Sequence, residues 1–99
     1  MKFNAWSREK IRLGTKKLTS RKTRHDNDPD VEYIVGPLPW RFIRDHLCRE
    51  EGADSPEELQ EVIDKIFVRR GYSVGDNEMF FVHILKERDR ATITRLENA

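Results

Sequence analysis

Apolar residues recur at Leu59, Val62, Ile63, Ile66 and Phe67, while Gln60, Glu61, Asp64 and Lys65 fill the positions between them. The steps i, i+3, i+4, i+7 and i+8 trace one stripe of a 3.6-residue period, so the spacing predicts an amphipathic helix facing water on its other side. Its start is marked by Ser55 as cap, Pro56 at the first helical position and Glu58 at the third, the pattern of a capping box. Arg69 and Arg70 fall where a helix dipole favours cations, and Gly71 follows them. Upstream, Trp40, Ile43 and Leu47 also share helical spacing, with Phe42 broadening the expected buried face and Gly52 as the stop. A shorter helix is expected over the stretch SREKIRL, with Ser7 as its cap and Gly14 closing it.

A different pattern runs from Met79 to Leu85, an unbroken apolar run of strand length suited to the middle of a sheet buried on both faces. Lys17 to Thr23 and Val31 to Val35 are expected as further strands, the second interrupted by Gly36-Pro37-Leu38-Pro39. The residues HDNDPD between them mark an exposed turn, and Tyr72 to Glu78 a loop. Ala91 to Leu96 alternates and is β-branched, which predicts a last strand beside the core strand. Together these elements describe an α+β protein.

The 99 residues leave room for one domain, 1–99, with one core. Charged residues make up 37% of the chain, yet two Trp, five Phe and two Tyr remain to fill that core. The formal net charge of +1 conceals an asymmetry: Met1 to His25 holds nine of the nineteen Lys/Arg and only Glu9 among the eighteen Asp/Glu. A phosphate-bearing partner is therefore expected at the N-terminal segment. The single Cys48 can form no internal disulfide and no cysteine-rich zinc site. No stretch approaches the ~20 apolar residues of a membrane span, and the N-terminal residues lack the apolar run of a signal peptide. A cytoplasmic protein with no membrane partner is expected.

Gly14-Thr15-Lys16-Lys17-Leu18-Thr19-Ser20-Arg21 is the segment richest in chemistry: a glycine turn releasing a strand that carries cations and hydroxyls. On a strand, Thr19 and Arg21 share a face, and Lys16 at the turn can swing to either side, so a cation, a hydroxyl and a guanidinium can converge on one pocket. The spacing G-x-K-x-x-T-x-R resembles the signature of the ASCH domain, a PUA-like β-barrel family linked to RNA. Glu51-Gly52 ahead of SPEELQEVIDKIF is similar to that family's acidic residue and glycine before an amphipathic helix, and FFVHILK to its barrel-closing strand.

The resemblance implies a small mixed β-barrel with two or three helices packed on it, binding RNA or a modified nucleoside. Gly14, Lys16, Lys17, Thr19, Arg21, Lys22 and Arg24 are then the expected binding residues, the cations meeting phosphate or sugar while Thr19 and Glu51 bond a base edge. The threonine variant of the motif is also similar to small amidohydrolases that remove the acyl group of N4-acetylcytidine. That likeness implies Lys16 as general base, Thr19 as nucleophile or water-positioning hydroxyl, and Glu51 as proton shuttle. No metal and no cofactor are implied. The family's usual hairpin between motif strand and acidic residue is missing, since only HDNDPDVEYIVGPLPW separates Thr23 from the first long helix. A barrel short of one hairpin would expose a strand edge, so a monomer or a weak homodimer is expected.

Other polar residues invite plainer assignments. His83, inside the apolar run, is expected as a hydrogen-bonded core or pocket-facing residue rather than a metal ligand, and His25 and His46 are isolated. HDNDPD lacks the glycine and the later glutamate of a calcium loop. Trp40 is expected in the core rather than stacked on a base. Glu50 competes with Glu51 for the pocket, and the glycine that follows favours Glu51.

Overall fold

In the computed structural model, residues 1–68, 71 and 73–87 are described. The apolar run Met79–Leu85, here β3, is the centre of an antiparallel sheet, flanked by β1 (Leu18–Arg21) and β2 (Val31–Pro39) in the order β1-β3-β2. Val82 and His83, adjacent and so on opposite faces, are both buried, as a central strand requires. The register sets Thr19 opposite His83 and Val35 opposite Val82. Among the described residues the sheet is open, with β1 and β2 as its edges. The expected strand at Ala91 to Leu96 lies outside the described residues, as do Arg69, Arg70 and Tyr72.

Among the described residues four helices accompany the sheet: α1 (Ala5–Arg12), α2 (Trp40–His46), α3 (Cys48–Glu51) and α4 (Pro56–Phe67). None is long and apolar enough to cross a membrane. Helix α4 starts where its capping pattern predicts, the Ser55 hydroxyl accepting the Glu58 backbone N–H at 3.1 Å. Its Leu59, Ile63 and Phe67 are buried against Trp40, Ile43, Phe80 and Val82 in one apolar cluster. Trp40 belongs to that core: it is fully buried, its ring centroid lies 5.4 Å from that of Phe80, and its indole N–H donates to Gln60 Oε1 at 2.8 Å. An indole N–H buried without an acceptor would be costly, and Gln60 on the next helix supplies one.

Four expectations need correction. Helix α1 is capped by Asn4, whose side chain accepts the Ser7 backbone N–H at 2.8 Å, so Ser7 lies inside the first turn instead of capping it. Asn caps as well as Ser does, and a cap three residues earlier extends the helix. Strand β2 does not stop at Gly36-Pro37 but runs to Pro39, with a register shift between Val35 and Leu38. Gly36 makes this possible at φ 110, where an added Cβ would meet the Leu38 nitrogen at 2.8 Å and the Phe80 oxygen at 3.2 Å. The helix begun at Trp40 breaks at Leu47 into α2 and the short α3. Phe42 is 43% exposed and packs on His46 instead of broadening the buried face, because one residue along a helix turns it about 100° from buried Ile43.

Candidate functional site

The turn after α1 delivers Lys16 to the interior. The backbone N–H groups of Thr15 and Lys16 both donate to the Lys10 carbonyl, at 3.0 and 3.1 Å, and the Lys17 N–H donates to the Glu50 carbonyl at 2.6 Å. These bonds tie the start of β1 to both α1 and α3. The backbone break at Leu47 gives α3 its own direction, which buries Cys48 and Glu51 while Glu50 stays exposed.

Lys16 and Glu51, each 5% exposed, meet there. The Lys16 ammonium donates to the Glu51 carbonyl oxygen at 2.9 Å and to Oε2 at 3.1 Å. The Ser20 hydroxyl donates to the other carboxylate oxygen, Oε1, at 2.6 Å. Burial pushes the Lys16 pKa below the usual lysine range, the Glu51 carboxylate works in the opposite direction, and the nearby Arg21 charge adds to the lowering. The Trp6 ring is shared by two cations, with Lys10 Nζ 5.6 Å and Lys16 Nζ 5.8 Å from its centroid.

This cluster opens onto a cavity of about 440 Å³, whose polar wall includes Lys16, Thr19, Ser20, Arg21 and Glu51. Asn4, Trp6 and Ser7 contribute from α1 and its cap, and the apolar wall comes from α4 through Leu59, Val62, Ile63, Ile66 and Phe67. Ile66 is 47% exposed, so the apolar stripe of α4 is shared between the core and the cavity. Pockets for small organic ligands run to about 300–1,000 Å³ and combine apolar walls with a few polar groups, and this cavity has both features.

The expected site residues divide into two sets. Lys16, Thr19, Arg21, Lys22 and Glu51 line the cavity, whereas Gly14, Lys17 and Arg24 do not. Gly14 and Lys17 border a separate depression beside Leu85, and Arg24 pairs with Asp26 at 3.1 Å in the exposed turn. Lys22 is held by Glu78 at 2.8 Å. Arg21 donates through Nη2 to the Lys2 carbonyl at 2.8 Å and stacks 5.6 Å from the Phe3 ring, while its buried Nε has no hydrogen-bond partner among the described residues. Glu51 bonds Lys16 and Ser20 and makes no hydrogen bond to Thr19.

His83 is a satisfied core residue. Its Nδ1 lies 3.0 Å from the Phe81 carbonyl and its Nε2 accepts the His25 backbone N–H at 3.0 Å, which assigns the neutral tautomer with the proton on Nδ1. Burial pushes its pKa below the usual histidine range. Among the described residues no three His, Cys, Asp or Glu side chains gather as a metal site would need.

Ser20 and Trp6 were not legible as site residues from the sequence. Strand alternation puts Ser20 on the face opposite Thr19, which argues against it once Thr19 is placed in the pocket. The signal for Trp6 was weak but present, an aromatic residue four positions before Lys10 and within the basic segment. Compared with known proteins, the chain matches no family model, no curated protein and no solved structure.

Proposed function

We propose that the chain is an ASCH-type domain that binds one nucleoside, free or as a unit of RNA, in the cavity between β1 and α4. The observation that carries this is the buried Lys16–Glu51 pair on the wall of a cavity of about 440 Å³. Burying two charges costs several kcal/mol per ion before their attraction offsets it, and apolar residues of similar volume often fill such a space at least as stably. A pair kept at the edge of a cavity, with a cation whose pKa burial lowers, has the properties of a recognition site. The ammonium can donate to a base or carbonyl oxygen, the serine and threonine hydroxyls can bond a polar edge, and the α4 side chains can cover a ring. Arg21 and Lys22 at the same wall suit the phosphate or sugar of a neighbouring nucleotide. The mixed barrel of the ASCH family is part of the proposal and requires strands beyond the three described.

A second reading, hydrolysis of an N4-acylated cytidine, is favoured by the lowered pKa of Lys16. Neutral Lys16 would take a proton from water as the water oxygen attacks the acyl carbon, with Thr19 orienting that water. Collapse of the tetrahedral adduct breaks the C–N bond, and Glu51 passes the proton from Lys16 to the departing amine, leaving the carboxylic acid and cytidine.

The test is calorimetric titration of folded protein with cytidine, N4-acetylcytidine and a short single-stranded RNA, each with Lys16→Ala in parallel and with acetate release followed. Saturable binding that Lys16→Ala weakens at least about tenfold, or about 1.4 kcal/mol, supports the nucleoside site. Acetate release abolished by the same substitution makes the site catalytic. Absence of both binding and turnover overturns the proposal.

A further inference from the structure

The geometry points to Ser20 as a positioning residue of this site, holding the Glu51 carboxylate in the orientation in which it meets Lys16. The inference rests on the proposed role of the Lys16–Glu51 pair, but it concerns a side chain at a position that the G-x-K-x-x-T-x-R spacing leaves open. Each oxygen of the carboxylate has its own donor: Oε1 receives the Ser20 hydroxyl at 2.6 Å and Oε2 the Lys16 ammonium at 3.1 Å. The terminal torsion of a glutamate is broad, so a single donor leaves the carboxylate free to rock or exchange its oxygens. Two donors from different parts of the chain remove that freedom, and hydroxyl-to-carboxylate bonds of this length are among the stronger charge-assisted ones.

Thr19 cannot substitute for Ser20. The two are neighbours on β1 and both line the cavity, but Glu51 bonds only the second of them. Nor is Ser20 itself placed as a nucleophile. A carboxylate is too weak a base to take a serine proton, so the bond orients Glu51 and leaves the hydroxyl intact.

The consequence falls on Lys16. The charged groups acting on its ammonium are Glu51 from α3 and Arg21 from β1, and Lys10 from α1 shares the Trp6 ring with it, its Nζ 5.6 Å from the ring centroid. Of these only Glu51 favours the protonated form. Loosening the carboxylate therefore lowers the pH at which Lys16 gives up its proton.

The experiment is NMR titration of the protein labelled with ¹³Cε-lysine, the Lys16 signal being identified by its loss in Lys16→Arg. Ser20→Ala is expected to move the Lys16 titration to lower pH by about half a unit or more, and Ser20→Thr, which keeps a hydroxyl, to return it toward the wild-type curve. A Lys16 titration curve unchanged in folded Ser20→Ala overturns the inference. Should that variant fail to fold, Ser20→Cys reads the same loss, because a thiol is a weak donor. Nucleoside affinity measured on the same samples separates the two proposals. A wild-type protein that binds no nucleoside defeats the functional reading, while the lysine titration still decides the role of Ser20.

Discussion

Gly52 packs against Lys16 so closely that a Cβ at position 52 would lie 3.3 Å from the Lys16 Cβ and 2.9 Å from the Lys10 Cβ. Its φ of 105 closes α3 in a conformation that other residues rarely adopt. Space and backbone thus both require glycine directly after Glu51. Gly52→Ala is expected to destabilise the fold by about 1–3 kcal/mol, and to weaken ligand binding by displacing Lys16. Urea unfolding checks it, and a loss below about 0.5 kcal/mol would show that the contact is easily relieved.

The buried ion pair makes a prediction about which changes are tolerated. Lys16→Met leaves the Glu51 carboxylate buried without its cation, and the expected loss is about 3–5 kcal/mol. Adding Glu51→Leu removes the orphaned charge, so the double variant should recover most of that loss. Urea midpoints of the three proteins decide the matter, and a double variant no more stable than Lys16→Met would mean that the pair stabilises the fold outright.

Much of this architecture was legible because its signals are local or strictly periodic. Ser55 and Pro56 fix the start of α4 through backbone donors that any helix leaves unsatisfied, and the apolar run of β3 has no alternative but the sheet centre. The family likeness pointed to Lys16, Thr19 and Glu51, and all three line one cavity. What escaped depends on tertiary context. Nothing in the spacing of Trp40, Ile43 and Leu47 announces a break at Leu47, yet that break turns Glu51 inward. The path of β2 through Gly36-Pro37 depends on renewed pairing with Phe80 and Met79, partners 40 or more residues away in the sequence. Ser20 joins the site only because α3 lies against its face of β1.

His83 predicts a pH dependence of stability. Its pKa is depressed in the folded protein, so as pH falls below about 6.5 the unfolded chain takes up a proton that the folded one refuses. The stabilisation is present above that pH and is lost as pH falls. Protonation of Nε2 would also displace the His25 backbone N–H that it now accepts. The stability difference between wild type and His83→Gln should therefore shrink from pH 7 to pH 5 in urea unfolding, and a difference that stays constant would argue against the neutral tautomer.

The two tryptophans give the cavity a spectroscopic signature. Trp40 is fully buried and hydrogen-bonded to Gln60, out of reach of any ligand, whereas Trp6 lines the cavity beside Lys16. A base entering the cavity would come against the Trp6 ring, and base–aromatic stacking contributes about 1–3 kcal/mol per base. Nucleoside binding should therefore quench the tryptophan emission, and Trp6→Phe should remove the quenching while keeping a ring for the base to stack on. Its affinity is expected to fall less than about tenfold, because the aromatic face survives. Quenching that persists in Trp6→Phe would mean that the ligand perturbs Trp40, and hence binds elsewhere or rearranges the core.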